Sequence, residues 1–199
     1  MKAKHLSNRM RESITQEAAR IMAEEMLHDF RLAKQKACER LGYDGRSGLP
    51  GNDEIQAALQ QYISLFKSDT QPGLLRELRQ AALEAMEFLE PFQPRLVGAV
   101  LKGTADRFST INLHVFADPA ESALQFLIEK NIPHDIGSRR FIYRNGRQED
   151  VTLCQFSAGG RQFELCLFPP VGLREPPSST VDGKPIERAT MQEVKALLQ

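Results

Sequence analysis

Two groups of side chains in this sequence could carry chemistry. Arg139, Arg140, Arg144 and Arg147 form a run of four cations with no acid between the first and the last. Together with Lys102 and Arg107 they could form a phosphate-binding surface, because guanidinium forks match phosphate oxygens. The other use of that charge is a solvated hairpin whose cations discourage edge-to-edge sheet pairing. Phe141 and Tyr143 lie within the run, spaced either to stack on a base or to alternate into a core. The second group is Thr110, Asn112 and His114, alternate residues that share one face of a strand. From adjacent strands Glu164 and Cys166 could face His114, a mixed donor set that suits zinc. The same residues also suit a half-buried polar face satisfied by hydrogen bonds. Cys154 and Cys166 fit small apolar packing in a reducing cytosol, and no turn or helix N-terminus beside them would activate a thiolate. His5, His28 and His134 are scattered, and the chain contains no GxxxxGK[ST], GxSxG or HExxH.

Periodicity supplies the elements that must hold these groups. Ile14, Ala18, Ile21, Met22 and Met26 recur at helical steps, and Phe30, Ala33, Ala37 and Leu41 continue the stripe to Gly42 as one first helix. Lys34 and Lys36 mark its outer face. Tyr43–Gly51 breaks the pattern, and Asn52 reads as an N-cap ahead of Ile55, Leu59, Tyr62, Ile63 and Phe66. A third helix follows Pro72, with Leu75, Leu78, Ala82, Met86 and Leu89 inward, and stops before Pro91. Near Pro94 the period changes to two. Strands are expected over Arg95–Val100 and Thr110–Phe116, a short helix over Pro119–Lys130, and hairpins at Asn145-Gly146 and Gly159-Gly160. These hairpins join Arg139–Arg144, Val151–Phe156 and Gln162–Phe168. After a surface tail over Pro169–Pro185, Thr190-Met191-Gln192-Glu193 is a capping box opening a last helix. The fold class is α+β: a helical region over 1–92, then a small mixed or antiparallel sheet with flanking helices over 93–199.

The stretch from Gly98 to His114 resembles the nucleotidyltransferase superfamily of DNA polymerase beta-like folds. In that family a strand ends in Gly-Ser, a short helix follows, and a second strand carries Ser-Asp-Ile-Asp-Leu. Gly98 falls on the first glycine, Gly103 on the second, and Ser109 on the serine before the acidic pair. The order of elements from Arg95 to Phe168 also fits. The resemblance implies a phosphate-facing turn of Gly98, Ala99, Gly103 and Thr104, with Lys102, Ser109, Arg139, Arg140 and Arg144 assisting. It also implies two magnesium ions on the paired aspartates, for in-line phosphoryl transfer. Here the motif departs from its pattern: Ala99 replaces the serine, and Thr110 and Asn112 stand at the two metal positions. The third acidic position falls on Glu164. A neutral hydroxyl and amide do not supply the charge that draws magnesium from water.

The 199 residues carry 26 Lys+Arg against 26 Asp+Glu and are 41% hydrophobic, a balance that excludes wholesale disorder and argues against a surface dominated by nucleic-acid or membrane electrostatics. No apolar run is long enough for a membrane span, and three cysteines without CxxC make no disulfide framework. A cytoplasmic protein is expected. Three functions are consistent with these features. The first is a nucleotide- or nucleic-acid-binding or regulatory module that has lost two-metal catalysis. The second is a divergent nucleotidyltransferase that would use Asp106, Asp118 or Glu164, with magnesium as its cofactor. The third is a non-catalytic scaffold that binds a protein partner or self-associates through its N-terminal helices.

Overall fold

The computed structural model describes residues 8–44, 48–66 and 71–199. His5 and the middle of the Tyr43–Gly51 loop lie outside the described residues. The chain forms two compact units. One holds the first three helices with Thr180–Asp182; the other holds Pro72–Ser179 and Gly183–Gln199. The division falls at Gln71/Pro72 rather than at residue 92, because the helix before Pro91 buries Leu78, Ala82, Met86 and Leu89 against the sheet.

In the first unit the expected single helix is two, α1 (Asn8–Glu24) and α2 (Phe30–Arg40). Met26 takes a left-handed φ of 54°, and the Asp29 carboxylate caps α2 by accepting from the Leu32 amide at 3.0 Å, which stops one helix and starts the next. A third helix, α3 (Asn52–Phe66), opens with the Glu54 carboxylate reaching back to the Gly51 amide. The apolar stripes of all three meet in one core built on Ile14, Ile21, Ala33, Ala37, Ile55 and Ile63.

The second unit opens with α4 (Gln71–Phe88), followed by β1 (Arg95–Val97), α5 (Gly98–Lys102), β2 (Ile111–Phe116), α6 (Glu121–Glu129), β3 (Asp135–Ile142), β4 (Gln148–Ala158), β5 (Arg161–Phe168) and α7 (Met191–Ala196). Strand β1 stops three residues short of the expected Val100. Gly98 has a φ of +77°, a conformation that side chains with a Cβ rarely adopt, and the chain turns there into α5. The strand order is β1-β2-β5-β4-β3, with β2 parallel to β5 and the other neighbours antiparallel. One face of the sheet buries Leu96, Ile111, Leu113, Val115, Phe163 and Leu165 with residues of α4 and α6. The other carries Asn112, His114 and Phe116 of β2 beside Glu164, Cys166 and Phe168 of β5. The tail after β5 is not wholly solvated. Ser178 donates its amide to the Ile142 carbonyl at 2.7 Å, Ile186 packs on the Phe168 cluster, and Ala189 pairs with Leu96 beside β1. The capping box at Thr190 and Glu193 forms as the sequence predicts.

Candidate functional site

The strand register defines a polar row. Val97, Asn112, Glu164, Gln155 and Asp135 are lateral neighbours on five successive strands. At about 4.8 Å per strand, Asn112 and Asp135 lie roughly 14 Å apart. The turn at Gly98 opens at the same end of the sheet, because β1 runs antiparallel to β2 and Gly98 follows Val97. A Cβ placed on Gly98 would sit 3.5 Å from the Asn112 amide nitrogen, so the glycine turn lies against β2 at Asn112. Asn112 donates to the Thr110 carbonyl at 2.9 Å.

Glu164 is the acid of this row and is already engaged. Its Oε2 accepts from Arg139 Nη2 at 2.7 Å and its Oε1 from Gln155 Nε2 at 2.8 Å, with the carboxylate side chain 15% exposed. The magnesium pair implied by the family resemblance would need carboxylates at Thr110 and Asn112. Both residues are neutral, and the remaining carboxylate is matched to a guanidinium. The donor set does not fit that ion pair. Among the described residues, no three His, Cys, Asp or Glu side chains converge in a way that could hold a metal.

Asp106 and Asp118 do not join Glu164. The Asp106 carboxylate accepts from the Phe108 amide at 2.8 Å and from Ser109 Oγ at 3.1 Å, and Ser109 Oγ in turn accepts from the Asp106 amide at 2.8 Å. Both residues therefore knit the turn that enters β2. Asp118 is exposed beyond the opposite end of β2, about 20 Å along the strand from Asn112 at 3.3 Å per residue. Helix α5 is closed at its carbonyl end: the Thr104 amide donates to the Ala99 carbonyl, Gly103 is its left-handed cap, and Arg79 donates to the carbonyls of Val100 and Leu101. Ala99 packs on the core, and Lys102 is the half-buried last residue of α5.

The arginine run divides between two faces and two ends of the sheet. Arg139 crosses to Glu164, whereas Arg140, on the opposite face, pairs with Asp150 at 2.8 Å. Arg144 is exposed in the hairpin turn at the other end of β3, and Arg147 stacks 4.1 Å above Tyr143 while pairing with Glu175. The four cations do not share one phosphate-binding patch. Phe141 and Tyr143 are buried, so alternation placed them in a core.

His114 lies one step along the strand from Asn112, opposite Cys166. It is 3% exposed, packs on Phe168 at 4.7 Å and Phe141 at 5.7 Å, and accepts at Nδ1 from Arg188 Nε at 3.0 Å. Burial, reinforced by the charges of Arg188 and Arg139, pushes its pKa down to about 3, so the ring is neutral. Burial likewise lifts the Cys166 thiol to about 11, and no thiolate–imidazolium pair forms. Arg188 lies between Phe116 and Phe168, about 5 Å from each ring, and donates Nη1 to the Gly172 carbonyl. No sequence signal marked Arg188 as the partner of His114, although a histidine on a buried strand face calls for a donor or acceptor from somewhere.

Beside the row, a cleft of about 680 Å³ opens between the start of β5, the end of β4 and the segment entering β3. It is lined by Thr110 and Glu164 together with His134, Asp135, Gln155 and Gln162, four residues the motif did not mark. No helix among the described residues is long and apolar enough to cross a membrane. No protein-family model, curated protein or solved structure matches this chain, so the likeness over Arg95–Phe168 rests on motif spacing and element order alone.

Proposed function

We propose that the sheet unit is a nucleotidyltransferase-like module that binds a nucleotide without performing two-metal phosphoryl transfer. One observation carries this reading. The three positions where the family holds its acids, Thr110, Asn112 and Glu164, meet at one end of the sheet beside the Gly98 turn, and their only carboxylate is closed by Arg139 and Gln155. The scaffold position is kept while the charge needed for divalent ions is missing. Nucleic acid is the weaker candidate ligand, because the arginines that would follow a backbone are split between two faces and three of them, Arg139, Arg140 and Arg147, are engaged by acids. Along the row a nucleotide would meet the side-chain amides of Asn112 on β2 and Gln155 on β4, with Gly98 at one margin.

Isothermal titration of the full chain with ATP, GTP, CTP and UTP, in magnesium and again in a chelator, tests the reading. Binding of at least one nucleotide that chelation leaves unchanged, without pyrophosphate release, is expected. Tight binding that needs magnesium, or transfer of a radiolabelled nucleotide to RNA, protein or a small acceptor, would overturn it. If transfer occurs, Glu164→Ala and Asp118→Ala identify the acid responsible.

A further inference from the structure

The cleft at the open end of β4 and β5 has a hydrogen-bonding character that the family likeness does not supply. His134 Nδ1 lies 2.9 Å from the Ile132 carbonyl oxygen. A carbonyl only accepts, so Nδ1 carries the proton, and in that tautomer Nε2 is an acceptor. Asp135 is exposed and accepts only. Gln155 gives one amide N–H to Glu164 and keeps the second beside its carbonyl oxygen, which is an acceptor. The other side-chain donors of the lining are the Thr110 hydroxyl and the Gln162 amide, whose own oxygen accepts from Ser157 at 2.9 Å. No Lys or Arg lines the cleft among the described residues, while two carboxylates do.

With Glu164 already matched to Arg139, the exposed Asp135 carboxylate sets the charge of the lining, which disfavours phosphate and favours a group with N–H bonds to give. We infer that this cleft, formed where β5 and β4 meet the segment entering β3, binds the amino group of a ligand through His134, Asp135 and Gln155. Two sources share that chemistry, an exocyclic amine on a nucleobase and an aliphatic ammonium. The chemistry of the wall holds whether or not the unit binds nucleotides at the Gly98 turn, and so goes beyond that reading. Asp135 is the residue whose loss is most informative, because it stands exposed on an edge strand.

Protein-observed NMR on the full chain, titrated separately with adenosine, its 6-deamino analogue purine riboside, adenosine 5′-monophosphate and putrescine, tests the assignment. Adenosine or putrescine should shift the resonances of Thr110, Asp135 and the Gln162 side-chain amide. Purine riboside should bind at least fivefold more weakly than adenosine, and the monophosphate no more tightly than the nucleoside. Asp135→Asn should weaken the amine ligand at least fivefold with an unchanged melting temperature. Putrescine binding alone assigns the ammonium source. The inference fails if neither amine moves these signals, if Asp135→Asn has no effect, or if the phosphate raises affinity tenfold. Nucleotide binding confined to Gly98–Thr104 would sink the cleft and spare the proposed function. Putrescine binding without any nucleotide would do the reverse.

Discussion

Strands β2 and β5 present one face with two different ends. At one end His114, Phe116, Phe141, Cys166 and Phe168 pack into a dry cluster, with Arg188 laid across the rings. At the other, one residue pair along the same strands, Asn112 stands beside Glu164, which opens on a polar cleft. The backbone pairing is the same at both ends, so what differs is side-chain chemistry. Four rings exclude water at one end; a carboxylate, an amide and a guanidinium hold one another at the other. A cluster of rings stabilises by burial, whereas a half-exposed polar set positions groups at little net stability. The closed end should therefore govern folding, and the open end binding.

The largest test of that division is a pair of truncations. Phe168→Ala removes a fully buried ring from the closed end and should cost about 3–5 kcal/mol in urea unfolding. Gln155→Ala at the open end removes an exposed amide and should stay within about 1 kcal/mol. Equal losses would mean that the two ends share one cooperative core.

The next test uses acidity. In the folded protein His114 is held at about 3, against an ordinary value near 6.5, because its site is dry and faces Arg188 and Arg139. The unfolded chain therefore binds the extra proton between those values. The stabilising effect of the neutral ring is complete above pH 6.5 and declines as pH falls toward 3. By pH 5 the loss attributable to His114 should reach about 2 kcal/mol. Urea midpoints at pH 7 and pH 5, compared with His114→Gln, check this. The variant is weaker at both values, but its loss between them should be smaller by that amount. The window above pH 5 keeps most carboxylate titrations out of the comparison.

The two ends also differed in how far the sequence disclosed them. Alternation in Thr110–Phe116 separated Ile111, Leu113 and Val115 from Asn112 and His114, and the register with β5 matches that separation. The glycine turn, the two hairpins and the Thr190 capping box are local patterns, and local patterns could be read directly. The break at Asp29 was hidden because an apolar stripe can run through two helices that bury the same face. Pairings over long separations left no trace. Arg188 is 74 residues from His114, and Arg139 is 25 from Glu164. Nothing in a run of arginines says which one crosses the sheet, because that depends on the strand order β5-β4-β3 and on the register of β3. The cleft stayed hidden for the same reason: His134, Asp135, Gln155 and Gln162 come together only through register.

A smaller effect is expected at the ion pair of the open end. Arg139 is 40% exposed and Glu164 15%, so solvent screens much of their attraction. A double-mutant cycle with Arg139→Gln and Glu164→Gln should return a coupling of about 1 kcal/mol, discounted for that exposure. A coupling near zero would leave Glu164 available to other ligands and would weaken the case against metal at this row.

The smallest effect should come from Arg140, adjacent in sequence to Arg139 and identical in chemistry. It points from the opposite face, pairs with exposed Asp150 across the β3–β4 ladder, and is not among the described residues of the row or the cleft. Arg140→Gln should leave the urea midpoint and the NMR response to adenosine or putrescine unchanged. Arg139→Gln should alter that response, because it releases Glu164 at the edge of the cleft. Thermal melts and one titration per variant make the comparison. If the two substitutions behave alike, the cations act as a diffuse charged surface, and the distinction between the two faces of β3 loses its functional meaning.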